Sequence, residues 1–274
     1  LQALSEGTNT ITANVSDAAG NAASQSSTTF IYDKTSPSIT ITSSTVSSGD
    51  TSSDSIISLT FTTNESTTNF VVEDITISGG TLSDFTGSGT IYTAILTPSG
   101  DATYTISVGE GTFTDLAGNN NIASNNFTWT FDSTSPTMTI TSTTVSSGDT
   151  SNDSTINVTF TSNESTTNFV EGDITVTNGS LSNFAGSGTT YTATLTPTAD
   201  GTCTINVKAA KFTDSSGNNN SASNNFTWIY DSTGPTMDIT SSTVTSGDKT
   251  NDATINLTFT SNEITTNFAE ADIT

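Results

Sequence analysis

Three aspartates, Asp33, Asp132 and Asp231, recur at intervals of 99 residues, each four residues ahead of a proline, Pro37, Pro136 or Pro235. Glu65, Glu164 and Glu263 keep the same interval inside Asn-Glu pairs, and Asp115 and Asp214 keep it inside Asp-x-x-Gly-Asn loops. Carboxylates that return at fixed loop positions can hold a hard cation. Calcium takes six to eight oxygens at about 2.3–2.6 Å from carboxylates, carbonyls and water, and needs no nitrogen or sulfur ligand. Asp, Asn and Gly are equally the residues that turns select for local hydrogen bonds and left-handed backbone. Cation binding and plain turn chemistry are therefore both open readings of these loops.

Other chemistry is excluded by composition. The 274 residues carry 27 carboxylates against four lysines (Lys34, Lys208, Lys211 and Lys249), for a net charge of -23 with 11% of residues charged. There is no histidine, and Cys203 is the single cysteine. A Ser-His-Asp triad, an imidazole base, a His or Cys zinc site and an intrachain disulfide are all ruled out. So acidic a chain cannot neutralise a row of phosphates, which makes nucleic acid and anionic membranes poor partners. No apolar run approaches the roughly 20 residues needed to span a bilayer. Neighbouring carboxylates such as Glu73 and Asp74 have no cleft to work in, so the chain is not expected to be an enzyme.

The elements that position these acids follow from the repeat. Complete units are expected at 34–132 and 133–231, flanked by the last strands of a preceding unit at 1–33 and the first strands of a further one at 232–274. The chain therefore reads as a window cut from something longer. Within a unit the apolar residues alternate with period 2: Ile57, Leu59, Phe61; Ile75, Ile77; Tyr92, Ala94, Leu96; Tyr104, Ile106, Val108; Phe127, Trp129, Phe131. Threonine fills most outward positions, and being both β-branched and polar it suits the solvent face of a strand. Cys203 takes the inward place that Tyr104 holds in the first unit, and Trp129 and Trp228 read as core. About seven short strands per unit predict an all-β, two-sheet Greek-key sandwich. Short linkers such as Asp132 to Pro136 leave no slack, so successive units are expected to stack end to end as a rod, each adding about 40 Å.

The closing strands Phe-Thr-Trp-Thr-Phe-Asp132 and Phe-Thr-Trp-Ile-Tyr-Asp231, the Asp-x-x-x-Pro linker and the Asp-x-x-Gly-Asn loop together resemble the tandem bacterial immunoglobulin-like (Big) repeats of giant surface adhesins. The N-terminal segment 1–33 carries the same loop at Asp17 to Asn21 and ends in Phe-Ile-Tyr-Asp33. The resemblance implies Ig-like sandwiches in an extracellular or cell-surface stalk or spacer, in a family where several members bind calcium at domain junctions. Partners would be the neighbouring repeats of the same chain and, in the alternative reading, other copies joining it in a filament or sheath.

Sandwich topology places the loop after the second strand and the loop before the last strand at the pole where the chain enters. The linker aspartate arrives at that same pole. Junction calcium sites are expected from Asp33 with Glu65 and Asp115, from Asp132 with Glu164 and Asp214, and, incompletely, from Asp231 with Glu263. Asp74, Asp173 and Asp272, which open the third strand, are expected near that pole. Asp50 with Asp54, Asp149 with Asp153, and Asp248 with Asp252 lie at the opposite pole and read as solvated turns, with a second ion site or a contribution to the next junction as the other open reading. Asn-x-Ser/Thr triplets such as Asn14, Asn64, Asn126, Asn157 and Asn256 are no more frequent than composition alone supplies.

Overall fold

The computed structural model describes residues 3–274. By proximity of Cα atoms the chain divides into two compact units. The first comprises Leu1–Thr137 with Asn163–Phe169 and Ala209–Ser221, and the second Met138–Ser162, Val170–Lys208 and Ala222–Thr274.

The first unit opens with a two-stranded antiparallel ribbon, β1 (Gly7–Ala13) and β2 (Ser26–Tyr32). The strands of the first repeat follow: β3 (Ile39–Ser43), β4 (Thr51–Ser52), β5 (Ile57–Thr67), β6 (Ile75–Ile77), β7 (Thr81–Thr97), β8 (Ala102–Val108) and β9 (Phe127–Phe131). They form two sheets, ordered β3-β5-β7 and β4-β9-β8-β6. All pairings are antiparallel except β4 with β9, which is parallel. The expected alternation is the observed one. Ile57, Leu59 and Phe61 from one sheet meet Tyr104, Ile106, Phe127 and Trp129 from the other, all buried, with Phe70 and Phe113 between them. Trp129 satisfies its indole N–H by donating to Ser52 Oγ at 3.0 Å, so the ring is buried without an orphaned donor.

β7 is longer than the pattern suggested, and its length conceals a fold. Seventeen extended residues would run roughly 55 Å. Yet a Cβ on Gly80 would lie 2.5 Å from the carbonyl oxygen of Thr97, and one on Gly87 would lie 2.3 Å from that of Ile91. The element therefore doubles back near Ser88, at a place only glycine can occupy (φ 134° at Gly87). Phe85 stacks on Tyr92 across the bend, with ring centroids 5.8 Å apart. The outer arm is irregular at Asp84 (φ 53°), which spoils a straight exposed edge.

The second unit contains most of the same plan again. Its strands are β10 (Met138–Ser142), β11 (Thr150–Ser151), β12 (Ile156–Thr166, whose last residues belong to the first unit), β13 (Ile174–Thr177), β14 (Gly179–Pro197), β15 (Gly201–Val207) and β16 (Phe226–Tyr230). The sheets are β10-β12-β14 and β11-β16-β15-β13. A last antiparallel pair, β17 (Met237–Ser241) and β18 (Leu257–Ser261), follows. The helical segments among the described residues are three short turns, Val72–Asp74, Glu171–Asp173 and Glu270–Asp272. None is long and apolar enough to cross a membrane.

Candidate functional site

Each linker aspartate follows directly on the last strand of a unit, and the two acids expected to meet it stand on the next repeat. Glu65 lies near the end of β5, past the point where pairing with β7 becomes irregular between Thr62 and Thr67. Its alternating register puts it on the same side as the buried Thr63 and Thr67. Asp115 is held by an isolated bridge to Thr67.

These placements bring Asp33, Glu65 and Asp115 together, one carboxylate oxygen of each lying within 4.8 Å of the others. Asp132, Glu164 and Asp214 form a second such group. Both groups lie inside the first unit, because the loops 163–169 and 209–221 belong to it. Asp231 and Glu263 join no comparable group among the described residues. Asp231 accepts the N–H of Thr233 at 3.1 Å, the same local bond that Asp33 and Asp132 take from Thr35 and Thr134.

The Asp-x-x-Gly-Asn loop is also a turn in its own right. Asp115 Oδ1 accepts the N–H groups of Ala117 (2.8 Å) and Asn119 (2.9 Å), and Oδ2 accepts the Asn119 amide (2.8 Å). Asp214 repeats this with Ser216 and Asn218. Asp17 repeats it with Ala19 and Asn21, outside either group. Turn chemistry therefore suffices to build the loop. A carboxylate offers about four lone-pair positions, so three bonds leave room for one more contact. Burial would raise the Asp115 carboxyl, but the bonds from Asn119, Gly118 and Ala117 outweigh it and hold the group below the usual aspartate range.

The same asparagines join the two sides of each group. Asn119 Nδ2 donates to the carbonyl of Asp33 (3.2 Å), and Asn218 Nδ2 to that of Asp132 (2.9 Å). The second group is tied more closely, because Ser216 Oγ donates to Asp132 Oδ2 at 2.7 Å where the first has Ala117. The Ser53 N–H also reaches the Ser216 carbonyl at 2.9 Å.

The glutamates bear the electrostatic load. Glu65 is pushed up first by burial, then by the charges of Asp33 and Asp115. Glu164 is pushed up by burial and then by Asp214 and Asp132. Three like charges so close call for a cation or a proton, and the donor set is entirely oxygen. That is the donor chemistry of calcium, so the residues present fit the ion.

Asp74, Asp173 and Asp272 do not join these groups. Their Oδ2 atoms accept the N–H groups of Val71, Val170 and Ala269 at 2.9 Å, closing the helical turns instead. At the other pole Asp50 accepts the Ser47 N–H (2.7 Å) and Asp54 the Ser52 hydroxyl (2.8 Å). The Asp149/Asp153 and Asp248/Asp252 pairs do the same, as turns require.

Sequence reasoning passed over three acids. Glu6, Asp101 and Asp200 stand immediately before β1, β8 and β15 and hydrogen-bond the first linker residues. The signal was available, since Asp101 and Asp200 are also 99 residues apart.

Residues 33–131 and 132–229 each match the family described as Bacterial Ig-like domain. The chain belongs to this bacterial Ig-like family. Solved structures similar to the Ig-like repeats include invasin, described as a bacterial integrin-binding protein (17% identity, TM-score 0.37, covering 67% of this chain and 40% of that one). InvD of Yersinia pseudotuberculosis is 19% identical with a TM-score of 0.34, covering 78% of this chain and 65% of that one. The adhesin InvE of the same organism is 14% identical with a TM-score of 0.26, covering 71% and 58%. The Ig-like chain thus spans between 40% and 65% of the length of these structures. Among curated proteins none shows a significant match.

Proposed function

We propose that this chain is part of an extracellular stalk of a large adhesin-like surface protein, with calcium stiffening the joints between its Ig-like repeats. Its role in this reading is mechanical, holding a distal module away from a surface, and no catalytic task is assigned to it. Tandem repeats of one bacterial Ig-like family support the spacer role. The observation that carries the calcium reading is the pair of three-carboxylate groups. Each takes one acid from the end of one repeat and two from the loops of the next.

Asp33, Glu65 and Asp115 would hold one ion, and Asp132, Glu164 and Asp214 another. A bound divalent cation supplies positive charge where three carboxylates otherwise repel. Asp115 and Asp214 bring carboxylates already oriented by their turns, and the Asn119 and Asn218 amides fix the linker carbonyl beside them.

Small-angle scattering of the chain in millimolar calcium and then in excess chelator tests the proposal. The expected outcome is an extended, narrow distribution with calcium that broadens without it, together with measurable binding heat. Superimposable profiles and no heat would refute calcium stiffening and leave the loops as turns. Growth of the particle with protein concentration would favour a filament or sheath subunit over a spacer.

A further inference from the structure

The linker is gripped from two directions, and the grip from behind comes from acids that stand outside the three-carboxylate groups. Asp101 Oδ1 accepts both the N–H (2.8 Å) and the hydroxyl (2.7 Å) of Ser133, and Oδ2 accepts the hydroxyl of Thr134 (2.8 Å). Asp200 makes the same three contacts with Ser232 (2.9 and 2.7 Å) and Thr233 (2.6 Å). Glu6 accepts the Lys34 N–H (2.9 Å) and the Thr35 hydroxyl (3.1 Å). Strand register explains the recurrence. Gly7 pairs with Tyr32, Ala102 with Phe131 and Gly201 with Tyr230, so the residue before each of the former faces the aspartate that leaves the sheet. A carboxylate there reaches the next two residues of the departing chain. Meanwhile Asp132 itself is held from the following repeat by Asn218 and Ser216.

We infer that Glu6, Asp101 and Asp200 are linker clamps, which fix the direction in which the chain leaves each Ig-like unit without help from any ion. The acid before the penultimate strand holds the first two linker residues back against the repeat they are leaving. At Asp132 the linker is also held forward, by Ser216 of the repeat ahead, so neither side of that linker can swing without breaking a bond to a charged acceptor, the stronger class of hydrogen bond. The clamp stays ionised at neutral pH. The Ser133 hydroxyl, then its N–H and the Thr134 hydroxyl hold the Asp101 carboxyl below its ordinary value, and Thr233 with Ser232 do so for Asp200.

Hydrogen–deuterium exchange of the full chain in chelator, resolved to the Ser133 amide, tests this. In the unaltered protein that amide should exchange at least about tenfold more slowly than an open one. Asp101→Ala should abolish this protection while the amides of Phe127–Phe131 keep theirs, which shows that the sandwich remains folded. Asp101→Glu, which copies Glu6, should preserve it to within about threefold. Repeating the series with calcium separates the two proposals. Rates that calcium leaves unchanged sink the ion reading alone, whereas a Ser133 amide that is open in the unaltered chain or indifferent to Asp101→Ala sinks the clamp alone. Equal loss of protection along Phe127–Phe131, or a glutamate variant as open as the alanine one, would also overturn it, making Asp101 a support of the strand or of local shape only.

Discussion

Replacing Glu164 by glutamine should stabilise the protein in chelator and destabilise it in calcium. One oxygen of Glu164 lies within 4.8 Å of oxygens of both Asp132 and Asp214. In water-like surroundings each pair at about that distance repels by about 0.9 kcal/mol, so two pairs give an upper figure of about 2 kcal/mol. Glu164 is only partly buried, and the water that reaches it screens part of this repulsion, which reduces the gain from Glu164→Gln to about 1 kcal/mol. For a domain of this size that raises the melting temperature by about 4–8 °C. With calcium present the order reverses. A site filled at a hundred times its dissociation constant stabilises the unaltered fold by about 2.7 kcal/mol, and the variant forfeits much of it with one carboxylate gone. Differential scanning calorimetry of the full chain at pH 7, in chelator and in calcium, reads both signs. The pH dependence gives a third sign. Because the Glu164 carboxyl is raised above the ordinary value of 4.5 by burial, Asp214 and Asp132, its penalty is complete above the raised value. The penalty shrinks as pH falls through that value and is gone below 4.5, so the advantage of glutamine in chelator should fade over the same range. A variant that melts at or below the parent in chelator, with no reversal in calcium, would refute the argument that these charges are unrelieved without an ion.

Cys203→Tyr, which restores the residue found at Tyr104, should cost about 1–3 kcal/mol by overpacking. The Tyr104 ring sits 3.4 Å from where a Cβ on Gly79 would stand, and the second repeat has Asn178 there. Adding Asn178→Gly should recover most of the loss in urea denaturation, and failure to recover it would disprove the pairing. Gly87→Ala should cost about 3 kcal/mol, since its Cβ would stand 2.3 Å from the Ile91 oxygen and 2.6 Å from the Tyr92 Cα, backbone atoms that cannot swing aside. Gly89→Ala, at a site with nothing nearer than 3.9 Å, is the milder control, and equal losses would refute the bend in β7.

What could be read from the sequence is what repeats and what alternates. Ile57, Leu59 and Phe61 were legible as an inward row because a strand has a period of two, and the 99-residue interval carried that reading from one sandwich to the next. The two three-carboxylate groups were legible because acids in loops of a sandwich have only two poles to occupy. Three features were hidden. Asp74 looked like one more acid for the pole, but its side chain is consumed by the Val71 N–H one helical turn away. The bend in β7 rests on Gly87, whose need appears only once Ile91 is folded against it. Asp101 sits beside glycine and reads as a turn former, and its partners in the linker are about thirty residues distant in the chain.

The exchange of Gly79 and Tyr104 for Asn178 and Cys203 has a consequence for how the array assembles itself. β5 and β12 differ at only three of eleven positions, so during synthesis a strand of one repeat could be accepted by the sandwich of its neighbour, the characteristic misassembly of repeat proteins. A traded β8 would bring the Tyr104 ring against Asn178. A traded β15 would leave Cys203 beside Gly79 with the place of a tyrosine ring unfilled, and with Ser99 and Gly100 deprived of the phenol that their N–H groups meet at 2.9 and 3.2 Å. One crossing is too large and the other too small. The pair acts as an address, marking each late strand for its own repeat while leaving the outward surfaces almost interchangeable.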